Sequence, residues 1–365
     1  MRLVVDIRLI HNSGIGTYIK NILPGIISSF DEVIVLVNKE GIDEFKWKNR
    51  VHVITFPYKT YSFLEQLYYS SVIPECDVFW TPHFNAPLFS IKSKKRIVTI
   101  HDVNHMSNPS NFSRIKRLWA KVLYQNAVRK SDYIITVSEF SKSEILRHFK
   151  AEKQKLSVVH CGVKQNYGKS INTEDCSLAL PKSYFLFVGN VKPHKNLITL
   201  LQAYKELDKS VRTTYKLVIL GKKEGFITND YKVFEFIKEH NLENDIYFTG
   251  CIKDQEVPIV YHQATMFIFP SLYEGFGLPI LEAMSCAVPV LSSDRTSLPE
   301  IGGAASLYFD PSNFAELKEK ITLLVNDKKL QSEMIKKGIE HVKNFSWEQS
   351  IQKHIKILNQ LAKNA

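Results

Sequence analysis

The sequence predicts an α/β fold made of two doubly wound domains, each built on a parallel sheet. Apolar runs of strand length alternate with helical stretches along the whole 365-residue chain. The strands are apolar throughout, which is typical of parallel sheets covered by helices on both faces. The alternation lapses into polar residues and glycines between about residues 161 and 181 and then restarts. We therefore expect a first domain at 1–165, a second at 166–345 and a final amphipathic helix at 346–365.

The predicted strands follow one another in the same way in both domains. In the first domain they lie at 3–6, 33–37, 51–55, 78–80, 97–100, 133–137 and 156–159. In the second domain they lie at 184–188, 217–220, 246–248, 266–269 and 288–291. Ligands of open parallel sheets bind outside the carboxyl ends of the strands. We therefore expect the active site in a cleft across which the two Rossmann-like domains face each other.

Composition limits the class of protein. With 44% hydrophobic and 23% charged residues, the chain is globular. It contains no apolar run close to the roughly 20 residues that cross a bilayer, and its N-terminus meets Asp6 too early for a secretory signal. The five cysteines are scattered without metal-ligand or C-x-x-C spacing, which indicates reduced, structural thiols. We expect a cytoplasmic protein.

Basic charge is concentrated in the first half of the chain. Residues 1–165 hold 24 Lys+Arg and 14 Asp+Glu, a net charge of +10, and residues 166–365 hold 24 and 23, a net charge of +1. Such asymmetry suggests an anionic partner surface, either a membrane leaflet or a phosphate-bearing acceptor. A merely solubilising surface is an equally weighted alternative. We expect no nucleic-acid partner.

One segment of this basic half predicts an amphipathic helix. Its apolar stripe consists of Phe112, Ile115, Trp119 and Val122, and the basic residues around the stripe are Arg114, Lys116, Arg117 and Lys121. A basic helix that carries a tryptophan is typical of an element lying on a membrane surface. Packing into the core is the alternative, and we favour it because the helix belongs to the alternating pattern of the sheet.

The most informative stretch follows the predicted strand 266–269. Seven residues separate Glu274 from Glu282, and Gly275-Phe276-Gly277 lies between them, followed by Pro279. Pro279 suits the first turn of a helix. The glycines let the main chain approach a ligand, and the N–H groups at the helix start would face an anion such as phosphate. Both carboxylates are good acceptors for sugar hydroxyls.

Two further segments place glycines beside a helix start. Lys195 follows the first strand of the second domain and lies near Gly189, where its charge and the helix dipole would act together on a diphosphate. Gly14 and Gly16 follow the first strand of the chain and could present N–H groups to the ligand. Ile19 occupies the third glycine position of a dinucleotide fingerprint, which argues against a dehydrogenase.

Together these motifs resemble the retaining glycosyltransferases of family 4, which have the two-domain GT-B fold. The resemblance covers most of the chain, and it depends on the ordered set, since two glutamates at one spacing arise often by chance. In chain order the matching motifs are Gly14-Ile15-Gly16, His101-Asp102, Ser138-Glu139-Phe140-Ser141, Gly189 with Pro193-His194-Lys195-Asn196, Glu274 to Glu282, and Leu298-Pro299-Glu300. In that fold the last helix crosses back onto the first domain.

The resemblance implies a role for each motif. Glu282 would hold the ribose, and Lys195 would hold the diphosphate together with the main chain of 275–277. Glu274 would hold the donor sugar, and His101 would orient that sugar, so we expect Glu274, His101 and Lys195 to be catalytic. The other donor-binding residues would be Gly14, Gly16, Gly189, Asn190, His194, Gly275, Phe276, Gly277, Leu278 and Glu282. Related proteins often carry arginine in place of Asn190 and His194, which shifts the expected diphosphate binding toward Lys195 and main-chain N–H groups.

The expected reaction transfers one sugar from a nucleotide diphosphate donor on the second domain to a hydroxyl of a lipid-linked saccharide on the first. The Pro-His-Lys-Asn segment is similar to that of mannosyl-transferring members, which use GDP-mannose in O-antigen or exopolysaccharide assembly. UDP-sugars and GDP-rhamnose stay open as donors. Because the chain lacks a D-x-D motif, we expect no metal ion. The rival classes are a sugar-nucleotide epimerase of the same shape and a non-catalytic saccharide-binding protein. The expected glycosyltransferase would work in the cytoplasm, peripherally at the inner face of the cytoplasmic membrane.

Overall fold

The computed structural model describes residues 1–38, 41–163, 167, 178–221 and 230–363. The chain divides into two compact units, Met1–Gly162 together with Trp347–Ala365, and Val163–Ser346. Most of the predicted linker at 161–181 lies outside the described residues.

The described residues of the first unit form one seven-stranded parallel sheet. Its strands are β1 (Arg2–Asp6), β2 (Glu32–Val37), β3 (His52–Thr55), β4 (Cys76–Thr81), β5 (Ser93–Ile100), β6 (Tyr133–Thr136) and β7 (Leu156–Val158). They lie in the order β3-β2-β1-β4-β5-β6-β7. The order therefore reverses between β1 and β4, which are hydrogen-bonded neighbours. This is the doubly wound arrangement that the apolar strands predict.

Helices connect these strands because their apolar residues recur at helical spacing. They are α1 (Gly14–Ile27), α2 (Phe63–Val72), α3 (Asn104–Ser107), α4 (Arg114–Lys130) and α5 (Glu139–His148). The buried stripe of α1 shows the spacing most clearly and consists of Tyr18, Ile19, Ile22, Leu23 and Ile26. The stripe faces the sheet, where Val4 and Val5 of β1 are fully buried.

The second unit repeats this strand order. Its described strands are β8 (Tyr184–Val188), β9 (Lys216–Leu220), β10 (Ile246–Gly250), β11 (Met266–Phe269), β12 (Val290–Ser293) and β13 (Ser306–Phe309), all parallel and ordered β10-β9-β8-β11-β12-β13. Its helices are α6 (Leu197–Lys205), α7 (Lys209–Thr214), α8 (Tyr231–Glu239), α9 (Val257–His262), α10 (Leu278–Ser285), α11 (Leu298–Gly302), α12 (Phe314–Asn326) and α13 (Lys328–His341). The reversal now falls between β8 and β11.

Two strands of the second unit differ from the sequence prediction. Strand β12 begins at Val290 rather than at residue 288, because Pro289 cannot continue a ladder of main-chain donors. Strand β13 was not predicted. It lies at the sheet edge and pairs only with β12 among the described strands, and its Ser306-Leu307-Tyr308 start is half-buried. An edge strand of this kind lacks the continuous apolar run that marks a buried strand.

The last helix, α14 (Trp347–Lys363), belongs to the first unit, as the resemblance implies. Its buried residues recur every three or four positions and are Trp347, Ser350, His354 and Leu358. This face packs against α1. A Cβ atom on Gly25 of α1 would lie 2.5 Å from Cγ2 of Ile351. The missing side chain at Gly25 therefore lets the two helices approach.

Helix α4 is only partly packed into the core, which corrects the core-packing interpretation of its apolar stripe. Trp119 is half-buried and its indole N–H donates to a main-chain carbonyl at 2.7 Å, while Phe112 stacks on the ring of His105. Ile115 and Val122, however, are 83% and 38% exposed. The buried residues of α4 occupy the opposite face and include Ala120, Leu123, Tyr124 and Ala127.

Helix α2 presents its apolar face outward. Its buried side holds polar residues that have found partners: Gln66 Nε2 donates to Asn85 Oδ1 at 2.8 Å, and Glu65 accepts from the guanidinium of Arg8. Glu65 and Gln66 are both fully buried. The outward apolar residues, each more than two-fifths exposed, are Phe63, Leu64, Leu67 and Tyr68. The helix therefore exposes an apolar face although its buried face is polar.

Among the residues that the structure describes, every helix is too short or too polar to cross a lipid bilayer.

The contact between α1 and α14 predicts an overpacking effect. Gly25→Ala places a methyl group against Ile351 and should lower the free energy of unfolding, measured in urea, by about 1–3 kcal/mol. The loss should be smaller in an Ile351→Ala background, because the two sites share one contact. Gly14→Ala is the control, since nothing lies within 4 Å of its Cβ position. Equal losses in both backgrounds would contradict the packing argument.

Candidate active site

Two loops of the second unit start at the point where its strand order reverses. One loop follows β8 and contains Gly189 and Lys195, and the other follows β11 and contains Glu274. Strands β8 and β11 are neighbours, with Met266 paired to Phe185. The carboxyl ends of adjacent parallel strands meet at one edge of the sheet, and the reversal leaves a crevice there. Residues that are 79 positions apart in sequence are thereby brought into contact.

Main-chain and side-chain hydrogen bonds fix the first loop to the second. Asn196 has a left-handed backbone with φ of 55° and is buried. Its Nδ2 donates to Pro270 O at 3.0 Å and to Pro311 O at 2.8 Å. The N–H of Leu272 donates to His194 O at 2.8 Å. The sequence reading assigned Asn196 no role, yet these bonds determine where its neighbour in the chain must lie.

Lys195 and Glu274 form the ion pair at the centre of the site. Lys195 Nζ lies 2.6 Å from Glu274 Oε1, and the two side chains are 17% and 15% exposed. The ammonium also lies 5.0 Å from the centroid of the Phe269 ring, a cation–π distance. Burial by itself would raise the pKa of Glu274, but the charge of Lys195 and its hydrogen bond to the carboxylate contribute to holding that pKa below its usual value. Glu274 is therefore a carboxylate at neutral pH.

Two glycines, Gly189 and Gly221, leave the main chain near Lys195 without side chains. Gly189 has a φ of +151°, and a Cβ atom there would lie 3.5 Å from Lys195 Cε. A Cβ atom on Gly221, at φ +153°, would lie 2.3 Å from Gly189 O and 3.2 Å from the main-chain nitrogen of Asn190. The ends of β8 and β9 can approach this closely only with glycine at position 221. Asn190 itself is half-buried in the loop.

Two further basic residues lie in the same loop. Burial lowers the pKa of His194 to about 4, with Lys195 and Lys192 acting in the same direction. His194 is therefore neutral at pH 7 and adds no fixed charge. This agrees with the expectation that Lys195, and not His194, provides the positive charge for a diphosphate. The pKa of Lys192 is also lowered, by burial and then by the charge of Lys195. Lys192 was not predicted from the sequence. Its position three residues before Lys195, in a loop that begins with Gly189, could have indicated a second basic residue of the site.

The Glu274 loop is supported from below by buried side chains. Ser297 is fully buried, and its hydroxyl faces two carbonyl oxygens, Glu274 O at 2.9 Å and Phe276 O at 2.8 Å. The Phe276 side chain is itself buried, with its ring 6.2 Å from that of Phe345. Phe276 therefore anchors the loop in the core, and a contact with donor would have to come from its main chain.

Strained backbone accompanies this support. Thr296 is β-branched and has a φ of +59°, which is sterically costly for such a residue. In that conformation its Oγ1 accepts from the N–H of Glu274 at 3.2 Å. Gly277 has a φ of +109°, and a Cβ atom there would lie 2.8 Å from Leu298 Cδ2. The N–H of Glu274 is thus bonded within the protein, and Leu298 of the Leu-Pro-Glu motif packs beneath the loop.

Glu282 lies in the second turn of α10, which Leu278 begins and in whose first turn Pro279 lies as predicted. The hydroxyl of the fully buried Tyr261 donates to Glu282 Oε2 at 3.0 Å. Burial and the Glu282 charge both raise the pKa of Tyr261 and of Tyr167. Both phenols are therefore neutral, and Tyr261 orients the carboxylate as a donor. Neither tyrosine was identified from the sequence, which offers no local motif around them.

The remaining predicted residues lie in the first unit. His101 follows β5, and its Nε2 donates to Pro82 O at 2.9 Å while Ser141 Oγ donates to His101 O at 2.8 Å. Burial lowers the pKa of His101, so its ring is neutral. A neutral ring whose Nε2 carries the proton presents the lone pair of Nδ1 as an acceptor.

Gly14 and Gly16 prove to have different surroundings. Gly14 is exposed at the first position of α1, with nothing within 4 Å of its Cβ position. Gly16 is buried, and a Cβ atom there would lie 2.4 Å from Ile10 O. Gly16 is therefore required by packing against the loop after β1, which is a reason for glycine that the sequence reading did not consider. A donor contact at either position stays a prediction.

The structure thus joins some of the predicted residues directly. Lys195 pairs with Glu274 and lies beside Gly189. Glu282 lies in α10, the helix that follows the Glu274 loop, and is bonded by Tyr261. His101, Gly14 and Gly16 belong to the first unit. In the described parts of the chain, no three His, Cys, Asp or Glu side chains are grouped so that they could hold a metal ion.

Comparison with known proteins gives consistent matches. The family model described as "Glycosyltransferase Family 4" matches residues 12–166, and the one described as "Glycosyl transferases group 1" matches residues 169–341. The chain is 31% identical over 277 residues to O-antigen chain mannosyltransferase B of Escherichia coli, covering 74% of this chain and 71% of that protein.

A second relative is longer, and a solved structure shares the fold. Over 263 residues the chain is 24% identical to the serotype-specific mannosyltransferase WbdA of Escherichia coli, covering 69% of this chain but 32% of WbdA. The chain therefore spans about a third of that relative's length. Sucrose-phosphate synthase from Thermosynechococcus elongatus superposes with a TM-score of 0.83 over 100% of both chains at 17% identity. The likeness at this identity concerns the fold.

The Lys195–Glu274 pair predicts a pH-dependent loss of stability. Lys195→Met leaves a buried carboxylate without its cation and should lower the free energy of unfolding at pH 7 by about 1–3 kcal/mol. The pair lowers the pKa of Glu274, so its contribution is present above the usual value of 4.5 and is lost as pH falls through the folded pKa. The difference between wild type and variant, measured by urea unfolding, should therefore shrink toward pH 3.

Lys343→Met is the matched control for this experiment. Lys343 pairs with Glu340 on the surface, where the two side chains are 63% and 73% exposed, and such pairs contribute about 0–1 kcal/mol. A Lys195→Met loss that matches this control at pH 7, or that does not change with pH, would argue against a charged, buried pair.

Proposed function

This chain belongs to glycosyltransferase family 4, and we propose that it is a retaining enzyme that transfers mannose from GDP-mannose. The acceptor we propose is a hydroxyl of a lipid-linked saccharide in cell-surface polysaccharide synthesis, bound by the first unit. The observation that carries the proposal is the Lys195–Glu274 pair at the strand reversal of the second unit.

The ion pair supports sugar transfer because its two charges suit two parts of one donor. A nucleotide sugar offers a diphosphate, which binds cations, and sugar hydroxyls, which donate to carboxylates. In the proposed complex Lys195 turns to the diphosphate and Glu274 accepts from the hydroxyls of the sugar. Glu282, oriented by Tyr261, accepts from the ribose hydroxyls. Lys192 adds a second cation to the diphosphate side.

The chemical step we propose needs charge stabilisation rather than a covalent nucleophile. Negative charge develops on the departing phosphate as the bond to the sugar breaks, and a preorganised cation that is shielded from water stabilises it strongly. Lys195 fills this role. The hydrogen bonds of Asn196 hold the adjacent main chain in place before the donor binds. Attack and departure occur on the same face of the sugar, which retains the configuration. His101 orients the sugar at the reacting carbon.

The choice of mannose rests on relatives and the choice of GDP on resemblance. Two relatives at 31% and 24% identity are mannosyltransferases, and the Pro193-His194-Lys195-Asn196 segment resembles that of GDP-mannose users. A UDP-sugar or GDP-rhamnose is the alternative donor. An epimerase of the same fold is the alternative enzyme, and it would interconvert free UDP-sugars without an acceptor. We further propose that the reaction needs no divalent metal.

Donor screening tests this proposal. GDP-mannose at 100 times its Kd should stabilise the native state by about 2.7 kcal/mol, seen as a rise in Tm, and UDP-sugars should leave Tm unchanged. Release of GDP from GDP-mannose should persist in EDTA. Lys195→Met and Glu274→Gln should each lower kcat/KM at least about 100-fold, as expected when a preorganised charge is lost.

Glu340→Gln is the control, because Glu340 is an exposed member of a surface pair and its loss should leave turnover unchanged. Turnover of a UDP-sugar with none of GDP-mannose would reject the mannose assignment. Interconversion of UDP-sugars without acceptor would favour the epimerase. Equal GDP release by wild type and Glu274→Gln would count against the catalytic role of that residue.

We also propose that the first unit binds an anionic membrane surface through α2 and α4. Ile115 and Leu118 are among the most exposed large apolar residues of the described chain. Arg114, Lys116 and Lys121 are exposed on the same helix. A contiguous apolar patch with a basic rim is typical of proteins that insert shallowly among anionic headgroups.

Helix α2 supports the same surface. Its outward residues Phe63 and Leu67 are apolar, and the helix begins beside Tyr61, whose carbonyl accepts from the indole of Trp119 in α4 at 2.7 Å. The two helices are therefore adjacent at this point. The polar side chains on the inner face of α2 already have hydrogen-bond partners inside the unit. Transfer of its outer, apolar face from water into lipid therefore lowers the free energy.

Vesicle sedimentation tests the membrane proposal. Ile115→Ser/Leu118→Ser and Phe63→Ser/Leu67→Ser should each reduce co-sedimentation with phosphatidylglycerol vesicles, because apolar area buried in lipid is lost. Charge reversal at Arg114, Lys116 and Lys121 should do the same, and binding should weaken with salt. Leu323→Ser/Ile339→Ser, two residues 45% exposed in the second unit, is the control. The proposal fails if all variants sediment like wild type.

A further inference from the structure

Four buried side chains of the first unit form a continuous chain of hydrogen bonds. Trp80 Nε1 lies 3.1 Å from Thr99 Oγ1, and Thr99 Oγ1 lies 3.2 Å from Tyr18 Oη. Tyr18 Oη lies 2.5 Å from His354 Nε2, and His354 Nδ1 lies 2.7 Å from Ser350 O. The chain therefore runs from β4 through β5 and α1 to α14, the last helix of the protein.

The direction of every bond in this chain follows from its two ends. An indole nitrogen can only donate, so the Thr99 hydroxyl accepts from Trp80. A main-chain carbonyl can only accept, so His354 Nδ1 carries the proton and Nε2 accepts from Tyr18. The Thr99 hydroxyl then donates to Tyr18. Burial keeps both central groups neutral, since it raises the pKa of Tyr18 and lowers that of His354 to about 4.

The ring of Tyr18, in the middle of the chain, packs against the imidazole of His101. The ring of Tyr18 lies 4.8 Å from that of His101 with an interplanar angle of 89°, an edge-to-face contact. On its polar side the imidazole donates from Nε2 to Pro82 O at 2.9 Å. The Tyr18 ring is itself held among the rings of Trp80 and Trp347, at 6.3 and 6.5 Å. The orientation of His101 is thus set by one hydrogen bond and one aromatic neighbour.

We propose that Tyr18 and His354 are positioning residues for sugar transfer, which hold the His101 ring in the orientation that contacts the donor sugar. This inference rests on the proposed role of His101. It makes α14 part of the support of the reacting centre: the helix supplies the acceptor that fixes the Tyr18 hydroxyl, and Gly25 lets the helix approach α1 closely enough to do so.

The geometry distinguishes positioning from mere core packing. Aromatic rings would fill this space without polar atoms, and the polar atoms here cost desolvation unless all of them are paired. All of those in the chain are paired, and only one arrangement of protons satisfies them. A single arrangement fixes the position of Tyr18 Oη. The rings of Trp80 and Trp347 limit rotation of the Tyr18 ring about its axis, so that the hydrogen bonds and the packing together determine how the ring meets His101.

Three variants test this inference with GDP-mannose as the probe. Tyr18→Phe and His354→Phe break the chain while keeping a ring, and should lower kcat for GDP release about tenfold, with KM for GDP-mannose unchanged, because the loss is one of orientation. His354→Gln keeps an acceptor for Tyr18 and should retain most of the wild-type kcat. Two-bond ¹H–¹⁵N spectra of the histidine rings should show His101, assigned by its loss in His101→Ala, perturbed in the two Phe variants only.

Tyr204→Phe is the stability control, since Tyr204 is a buried tyrosine of the second unit whose hydroxyl donates to Tyr215 O at 2.9 Å. It should lower Tm without lowering kcat. If His101→Ala abolishes turnover while both Phe variants keep wild-type kcat and an unperturbed His101 signal, the positioning role is wrong and the proposed function stands. If His101→Ala itself keeps wild-type turnover, the role of His101 in the proposed function fails, and this inference fails with it.

Discussion

The hydrogen bonds that join the loop after β8 to the loop after β11 are the constraint on which the candidate site depends. Parallel strands bring the two loops to one edge of the sheet, but adjacency alone would leave their side chains free to choose other partners. Asn196 removes that freedom, because its left-handed backbone and its two bonds to Pro270 O and Pro311 O fix the residue that follows Lys195. The Lys195 side chain then passes Gly189, which has no side chain of its own, and bonds Glu274.

The loop that contains Glu274 is likewise held in place by neighbouring residues. Ser297, Thr296 and Leu298 offer no chemistry to a donor, yet they determine the conformation of the loop through two carbonyl contacts, one N–H bond and one close packing contact. The strained φ of Thr296 persists because its hydroxyl bonds the loop. In the first unit the Tyr18–His354 chain holds a comparable relation to His101.

Both units contain ion pairs with little exposure to solvent, but the surroundings of these pairs differ. In the second unit the Lys195–Glu274 pair lies at the carboxyl edge of the sheet, and its two side chains are 17% and 15% exposed. In the first unit the charges of Glu65 and Arg8 are satisfied internally, and apolar side chains of α2 and α4 face outward instead. Arg114, Lys116 and Lys121, which belong to the basic first half of the chain, are also exposed on α4. The two units therefore expose chemically different surfaces, although their sheets share one strand order.

The sequence by itself determined the fold class, the alternation of strands and helices, and the motifs that contain Lys195, Glu274 and Glu282, because strand burial and helical spacing are local patterns that a chain repeats. It could not determine which faces of α2 and α4 meet the core, since the same apolar stripe can pack inward or remain exposed. It assigned no role to Asn196 and did not identify Ser297, Tyr261 or His354, because their partners lie far away in the chain. Only the tertiary structure decided those contacts, because a hydrogen bond between residues 79, 115 or 336 positions apart exists only when strand order or helix packing has brought them together.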